Sequence, residues 1–314
     1  MKKSNVILLL LLIVSTILFL CWGLNTDNID FFLPRRIKKI SAILLTSYCI
    51  GYSSVTFQTI TNNRILTPSV MGLDSLYLFV QTLIVFFFGA GQLVMLTGTV
   101  NYFLSIGVML IFSIILFVLL FLKEGRSVYF LVMVGMIIGG LFQGLATCMQ
   151  VLLDPNEFLI LQGKMFASFE KVNEDILVVS IFIVLCSIVV TWKDYGTLDV
   201  MGLGREMAIN LGVPYQKMVL KNLLNTAVLV SVSTALTGPI TFLGILVASL
   251  ARVMISTYHH KSRVCGAVLL GGFALIFGQM MVERVFQFKT TISVIINFIG
   301  GVYFLILMMK ERER

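Results

Sequence analysis

Charge is what this sequence has least of. Only 12% of its 314 residues are Asp, Glu, Lys or Arg, while 58% are apolar and the mean hydropathy is +1.01. A soluble domain carries about 25% charged residues, so a water-filled surface cannot be clothed here and a polytopic membrane protein follows. Proline is also scarce, at five residues, which leaves long apolar runs unbroken. The five cysteines (Cys21, Cys49, Cys148, Cys186 and Cys265) stand singly in apolar stretches without a C-x-x-C pair. That excludes a disulfide framework and a thiolate metal site, and predicts buried thiols acting as small hydrophobes. Leu20 precedes Cys21 where lipoprotein processing needs a small residue. Lys2-Lys3 followed by Val6–Leu20 imitates a secretory signal but lacks a small-x-small cleavage site, so it is read as the first span.

Catalytic signatures are missing as well. Gly163-Lys164 lacks the upstream glycine and the hydroxyl residue of a P-loop, and there is no H-E-x-x-H, paired-carboxylate constellation or serine elbow. The chain is therefore read as no enzyme, with no catalytic residue, no metal ligand set and no cofactor of its own. Two histidines, His259 and His260, adjoin Lys261 and Arg263 and read as a basic cytoplasmic turn; a pH switch or metal pair is the alternative. Within the apolar runs the ionisable residues are few, Asp74 near the start of one and Glu283 beside Arg284 at the edge of another. Ion-coupled carriers place carboxylates near mid-membrane, so their scarcity disfavours that class. Net charge is +8, but the basic residues lie at the ends of apolar runs and serve topology rather than nucleic-acid binding.

What is present is length and apolarity. Ten runs can cross about 30 Å of hydrocarbon: roughly residues 5–24, 41–61, 69–89, 102–122, 128–152, 176–192, 217–237, 240–257, 265–284 and 291–309. The predicted fold is all-α, a polytopic membrane protein with about ten transmembrane helices forming a single transmembrane domain over residues 1–314. With the amino terminus inside, fifteen of the 23 basic residues fall on cytoplasmic segments, which predicts a multi-pass protein of a bacterial inner membrane with both termini cytoplasmic. The Arg35–Lys39 cluster violates this rule, which points either to an external task or to a headgroup anchor. Gly135-x-x-x-Gly139 and Gly140-x-x-x-Gly144 predict close helix packing. Gln58, Gln143, Gln150, Gln279 and Asn297 should face other helices or an aqueous cavity.

One segment fits neither lipid nor water. Leu198–Leu211 places Leu203, Met207 and Leu211 at i, i+4 and i+8 with Ala208 beside them, and Arg205, Glu206 and Asn210 on the other side. Gly212 stands where a C′ glycine ends a helix, and Pro214 follows. Such a helix wants a groove on a partner protein; lying on the membrane interface is the alternative.

Several of these landmarks resemble one family. Gly204-Arg-Glu-Met-Ala208 with Leu211-Gly212-Val213 is similar to the cytoplasmic coupling segment of the FecCD-type permeases, the membrane subunits of type II ABC importers for iron–siderophore complexes, haem and cobalamin. Gly238-Pro239-Ile240-Thr241-Phe242-Leu243-Gly244 with Leu250-Ala251-Arg252 resembles a second signature of that family. Leu33-Pro34-Arg35 resembles the opening of its span two, and Asn63…Pro68…Gly72 its inner turn before span three. The chain departs where Ala248-Ser249 replaces the commonest Pro-His, Phe32 an arginine, and Asn63-Arg64 an Asn-Pro. Together with Thr67–Gly72 and Thr290–Ser293 these departures look like the iron–catecholate branch.

The resemblance implies a type II importer fold and a permease that translocates iron–siderophore complexes, with ATP and Mg held by a partner chain. Haem or cobalamin cargo, an ion-coupled secondary transporter and a membrane sensor are the alternatives. Implied partners are ABC ATPase subunits, an extracytoplasmic siderophore-binding protein, a second permease copy or sister permease, membrane lipid and the cargo. The coupling segment, about residues 194–216, would engage the ATPase through Gly204, Arg205, Glu206, Met207, Ala208, Leu211 and Gly212, tied to its neighbouring spans through Lys193 and Lys217. Arg35 and Arg284, with Arg36 added by proximity, would dock the binding protein. Asn63, Arg64, Ile65 and Leu66, with Glu124, Gly125, Arg126 and Ser127, would border a cytoplasmic gate; ordinary connecting loops are the alternative there.

Overall fold

The computed structural model describes residues 3–22, 29–95, 98–121, 128–170 and 172–312. Thirteen helices account for nearly all of them, and no strand occurs among the described residues. Among the described residues, seven helices are long and apolar enough to cross a membrane: α1 (Lys3–Cys21), α2 (Ile29–Thr61), α4 (Gly98–Phe121), α5 (Val128–Val151), α7 (Glu174–Thr191), α10 (Tyr215–Thr237) and α12 (His260–Arg284). Three shorter apolar stretches fill the remaining places: Leu73–Gly89 of α3 (Leu73–Met95, kinked at Gly89), α11 (Leu243–Met254) and Ile292–Ile306 of α13 (Ile292–Arg312). The ten predicted runs are thus all helical, but not all full spans. Helix α11 has 12 residues, about 18 Å at 1.5 Å per residue, and cannot cross alone. The chain enters it through a buried non-helical stretch at Gly238–Ile240. Irregular backbone at that depth requires cover by protein. Ser293 supplies part of it: its Oγ donates to Pro239 O at 3.4 Å and accepts from Ala167 N at 2.7 Å.

Helix α2 begins at Ile29, well before the apolar run at 41, so the Arg35–Lys39 cluster is helical rather than a loop. Pro34 is tolerated because it lies close to the amino-terminal end, where few backbone bonds are lost. The segment predicted as a plain outer connection contains a further helix, α6 (Pro155–Met165). Asp154 caps it by accepting from Asn156 N at 2.9 Å, and Pro155 occupies the first helical position. Asn173 caps α7 in the same way through Asp175 N at 2.8 Å.

Two apolar cores share α2 and α10. One joins α1, α2, α7, α10, α11, α12 and α13 with the start of α4; the other joins the carboxyl-terminal end of α2 to α3, α4, α5 and α10. Polar pairs stitch the helices inside these cores: Tyr102 with Ser180 at 2.7 Å, Ser187 with Asn225 at 2.7 Å, Gln81 with Ser105 at 2.9 Å, and Gln150 with Thr82 at 3.1 Å. Where the alternative is hydrocarbon, each such pair fixes one helix register against another. Gln279 is paired too, but Asn297 leaves its buried Oδ1 without a partner among the described residues.

Of the two glycine pairs on α5, only the first packs within the chain. A Cβ on Gly139 would lie 2.7 Å from Gly72 Cα, and one on Gly135 would lie 3.0 Å from Met71 Cα. The partner is a 3₁₀ turn, Pro68–Met71, closed by Gly72 at φ 82°. Gly140 and Gly144 meet nothing within 4 Å. The expectation of buried thiols also needs correction. Cys49 is buried and Cys265 half-buried, whereas Cys21, Cys148 and Cys186 lie on the outside of the bundle. In an apolar solvent the outer face has no reason to exclude a thiol.

Candidate functional site

The coupling segment is two short helices, α8 (Tyr195–Met201) and α9 (Arg205–Asn210), between α7 and α10. Gly204 starts α9 at φ 103°, a conformation that side chains rarely adopt. Its end is a Schellman cap: Val213 N donates to Ala208 O at 3.0 Å and Gly212 N to Ile209 O at 2.9 Å, with Gly212 at φ 82°. Pro214 then caps α10. Leu203, Met207 and Leu211 are 63%, 59% and 63% exposed, so the predicted apolar stripe points away from the bundle. Arg205 and Glu206 are exposed beside it. Ala208 is the exception among the predicted contact residues, because it is fully buried in the inner core with Val219 and Leu223. It holds the helix to its own chain and cannot touch a partner.

The segment is fastened to three spans. Asp194 accepts from Lys221 of α10 at 2.8 Å. Asp199 accepts the backbone N–H of His260 and lies 3.3 Å from His259 Nδ1, capping the start of α12. The buried His260 ring lies between Thr56 and Thr59 of α2, at 3.3 and 3.4 Å. Tyr195 sits edge-on to Tyr52 of α2 and beside His260. Burial raises the Tyr195 phenol above its ordinary pKa, so it stays neutral. His259 thus lies exposed in the turn, as expected, whereas His260 does not: it is an internal tie between α12 and α2. Beside the chain connections at Lys193 and Lys217, Asp194–Lys221 and Asp199–His260 add side-chain ties.

On the opposite face lies a pocket of about 540 Å³ lined by Arg35, Arg36, Lys39, Glu170, Glu283 and Arg284, among others. Much of its charge is spent internally. Lys39 bridges Glu170 and Glu283 at 2.8 Å each, Lys38 pairs with Glu174, and Gln279 donates to Glu170 at 2.6 Å. Arg36 donates to Leu20 O at 2.6 Å and Phe19 O at 3.2 Å, and Arg284 to Trp22 O at 2.7 Å. Both arginines therefore cap the last carbonyls of α1, where cations complement the helix dipole. Arg36 is half-buried in that task, while Arg35, stacked over Phe31 at 3.9 Å, and Arg284 remain exposed. The site brings Arg35, Arg36 and Arg284 together as expected, but in unequal roles.

The predicted inner gate is only partly visible, since Glu124, Gly125, Arg126 and Ser127 lie outside the described residues. Asn63–Leu66 follows the end of α2, where Asn62 at φ 48° forms a second Schellman cap, with Asn63 N bonded to Gln58 O at 3.2 Å. Asn63 Oδ1 then accepts Ile65 N at 2.9 Å. Ile65 and Leu66 are half-buried and Arg64 exposed. Among the described residues no group of three or more His, Cys, Asp or Glu could hold a metal.

The chain matches the FecCD transport family model over residues 5–310. It is 50% identical over 303 residues to the petrobactin import system permease protein YclO of Bacillus subtilis, covering 96% of each chain. It is 36% identical over 278 residues to the petrobactin import system permease protein FatC of Bacillus anthracis, covering 88% of this chain and 78% of that one. Among solved structures, an inward-facing metal-chelate type ABC transporter superposes with a TM-score of 0.83 at 22% identity, covering 98% and 99% of the two chains. That likeness establishes the shared permease fold.

Proposed function

The chain belongs to the FecCD transport family, and from that premise we propose that it is the membrane permease of an ABC importer carrying iron–siderophore complexes inward. ATP hydrolysis takes place on separate subunits, and the protein is a multi-pass component of the cytoplasmic membrane. The relatives named for petrobactin import, one of them 50% identical over nearly the whole length, support siderophore cargo. The single observation that carries the coupling role is the outward stripe Leu203–Met207–Leu211 on a helix fixed at both ends by glycine caps. Three large apolar side chains held rigidly in the open want a protein groove, since burial stabilises by about 1.5–3 kcal/mol for each.

Arg205 and Glu206 would pair at the rim of that groove, with Gly204 and Gly212 setting the helix angle and Ala208 acting as its inner pivot. Displacement of α9 would pass through Asp194 and Asp199 to α10 and α12, and through His260 to α2. Such packed elements switch as rigid bodies rather than bending. On the outer face, Arg35 and Arg284 would meet acidic residues of a siderophore-binding protein, while Arg36 keeps α1 in place. Asn63–Leu66 would border the inner gate. A second copy or a sister permease would cover α5, which exposes Ile137, Leu141 and Gln143 around the open Gly140 and Gly144. The excess of basic residues on the coupling-segment side supports cytoplasmic termini, and the family match over residues 5–310 supports one permease domain.

Reconstitution tests the proposal. Vesicles holding permease, ATPase and binding protein should accumulate ferric siderophore only with ATP. Filling at the full rate by this subunit alone, with no ATPase present, would overturn it.

A further inference from the structure

A second pocket opens on the coupling-segment side, with a volume of about 390 Å³, where the inner ends of α2 and α11 meet the start of α12 beside Gly202. Its polar lining consists of Gln58, Asn62, Asn63, Arg64, Arg252 and Arg263, together with Thr59, and no carboxylate is among its lining residues. Gln58 is 2% exposed, and its orientation is dictated: Arg252 can only donate, and its Nη2 lies 3.1 Å from Gln58 Oε1. The Gln58 amide nitrogen is thereby turned the other way, buried and without a partner among the described residues. A buried donor left in this state costs about 1–3 kcal/mol unless something accepts from it.

The electrostatics point the same way. Two helix carboxyl termini, those of α2 and α11, bring about −0.5 each, and the amino terminus of α12 returns about +0.5. Three guanidinium groups outweigh that sum. The nearby Asp199, which accepts His260 N–H and lies beside His259, adds one negative charge felt by Arg263, and the sum around the cavity stays positive. Arg263 spends its Nε on Thr257 O at 2.7 Å, which aims the rest of its planar fork. A cavity with surplus positive charge, an orphan amide donor and forked guanidiniums selects a compact oxyanion.

We propose that this pocket binds a phosphate-type oxyanion, drawn either from the headgroup of an anionic phospholipid or from free phosphate. Bound there, the anion would clamp α2, α11 and α12 together under the coupling segment. The anion itself does not depend on the transport function proposed above; only the assignment of the lipid to the cytoplasmic leaflet does.

Thermal unfolding of the purified full-length permease, titrated with inorganic phosphate against chloride at matched ionic strength, forms the first arm. Native mass spectrometry after release from nanodiscs of phosphatidylglycerol or phosphatidylcholine forms the second. Saturable stabilisation by phosphate assigns the free anion, and selective retention of phosphatidylglycerol assigns the headgroup. In either case R64Q, an exposed position whose loss spares the fold, should weaken binding by about tenfold, and R263Q by at least as much. R205Q, outside the pocket, should leave it unchanged. Absence of an anion effect in both arms, or an effect that R64Q and R263Q together leave intact, overturns the proposal. Transport measurements stand apart from this: anion binding without ATP-driven uptake would defeat the transport reading and leave the site standing.

Discussion

Replacing Leu211 by aspartate isolates the coupling helix from everything else the chain does. Leu211 is 63% exposed in the permease, so the fold owes it little. Full burial of a leucine stabilises by about 1.5–3 kcal/mol, and nearly two thirds of that remains to be gained on a partner, about 1–2 kcal/mol. L211A should therefore weaken ATPase association by about five- to thirtyfold. L211D loses the same contact and forces a carboxylate into an apolar groove, which should raise the loss beyond about a hundredfold. Immobilised permease with purified ATPase in solution reads the affinity directly. Unfolding of the permease alone checks the fold, and an exposed substitution should move its stability by no more than about 0.5 kcal/mol. Wild-type ATPase stoichiometry and transport in L211D, with the variant properly folded, would show that α9 does not seat on the ATPase.

Two further outcomes follow from the geometry. Charge reversal at Arg35 and Arg284 should slow association of the binding protein at low salt and lose its effect at high salt, as rim charges do, with some loss of stability from Arg284, which also caps α1, whereas R36A should lower permease stability through that cap alone; equal binding-protein kinetics in the double reversal would refute the docking role. G72A should destabilise the inner half by more than about 2 kcal/mol, because the residue sits at φ 82° and the new Cβ would lie 2.6 Å from Gly139 Cα; this is measured as lost thermal stability, while G140A, facing open space, should be close to neutral in the isolated chain.

The helices were legible because hydropathy in a membrane protein is nearly a direct statement of backbone hydrogen bonding: an apolar run long enough to cross must be helical. The same reasoning blurred wherever the chain stays polar or stops short. Helix α6 was missed although Asp154-Pro155-Asn156-Glu157 carries a capping aspartate, a proline at the first helical position and an acidic first turn. The outer extension of α2 hid because Arg35–Lys39 lowers hydropathy while lysine and arginine remain good helix formers. Helix α11 read as a span because 240–257 is mostly apolar, with Arg252 its one charge, and nothing local says that the chain just before it lies non-helical against Ala167 and Ser293. Within the coupling segment, the stripe and the Gly212 cap were readable from spacing. The burial of Ala208 was not, since an alanine fits either side of a helix and only the tertiary neighbour decides. The Asp199–His260–Thr56 chain joins residues far apart in sequence and left no local trace.

The arginines show why composition could not assign these roles. Arg35, Arg36, Arg205, Arg252 and Arg284 contribute identically to the net charge, yet each is defined by what lies within about 3 Å of its fork. Arg36 and Arg284 meet helix carbonyls, Arg252 meets an amide that it thereby orients, and Arg205 meets solvent beside an apolar stripe. On both faces the pattern is shared: internal acceptors or acids consume part of a basic cluster, and the remainder is left open toward whatever arrives. Outside, Glu170, Glu174 and Glu283 neutralise Lys38 and Lys39 and leave Arg35 presented. Inside, Asp199 holds the start of α12, and Arg64 and Arg263 line a cavity that contains no carboxylate. An unbalanced cationic surface costs stability in the isolated chain, which fits the acidic contact proposed on one face and the anion proposed on the other.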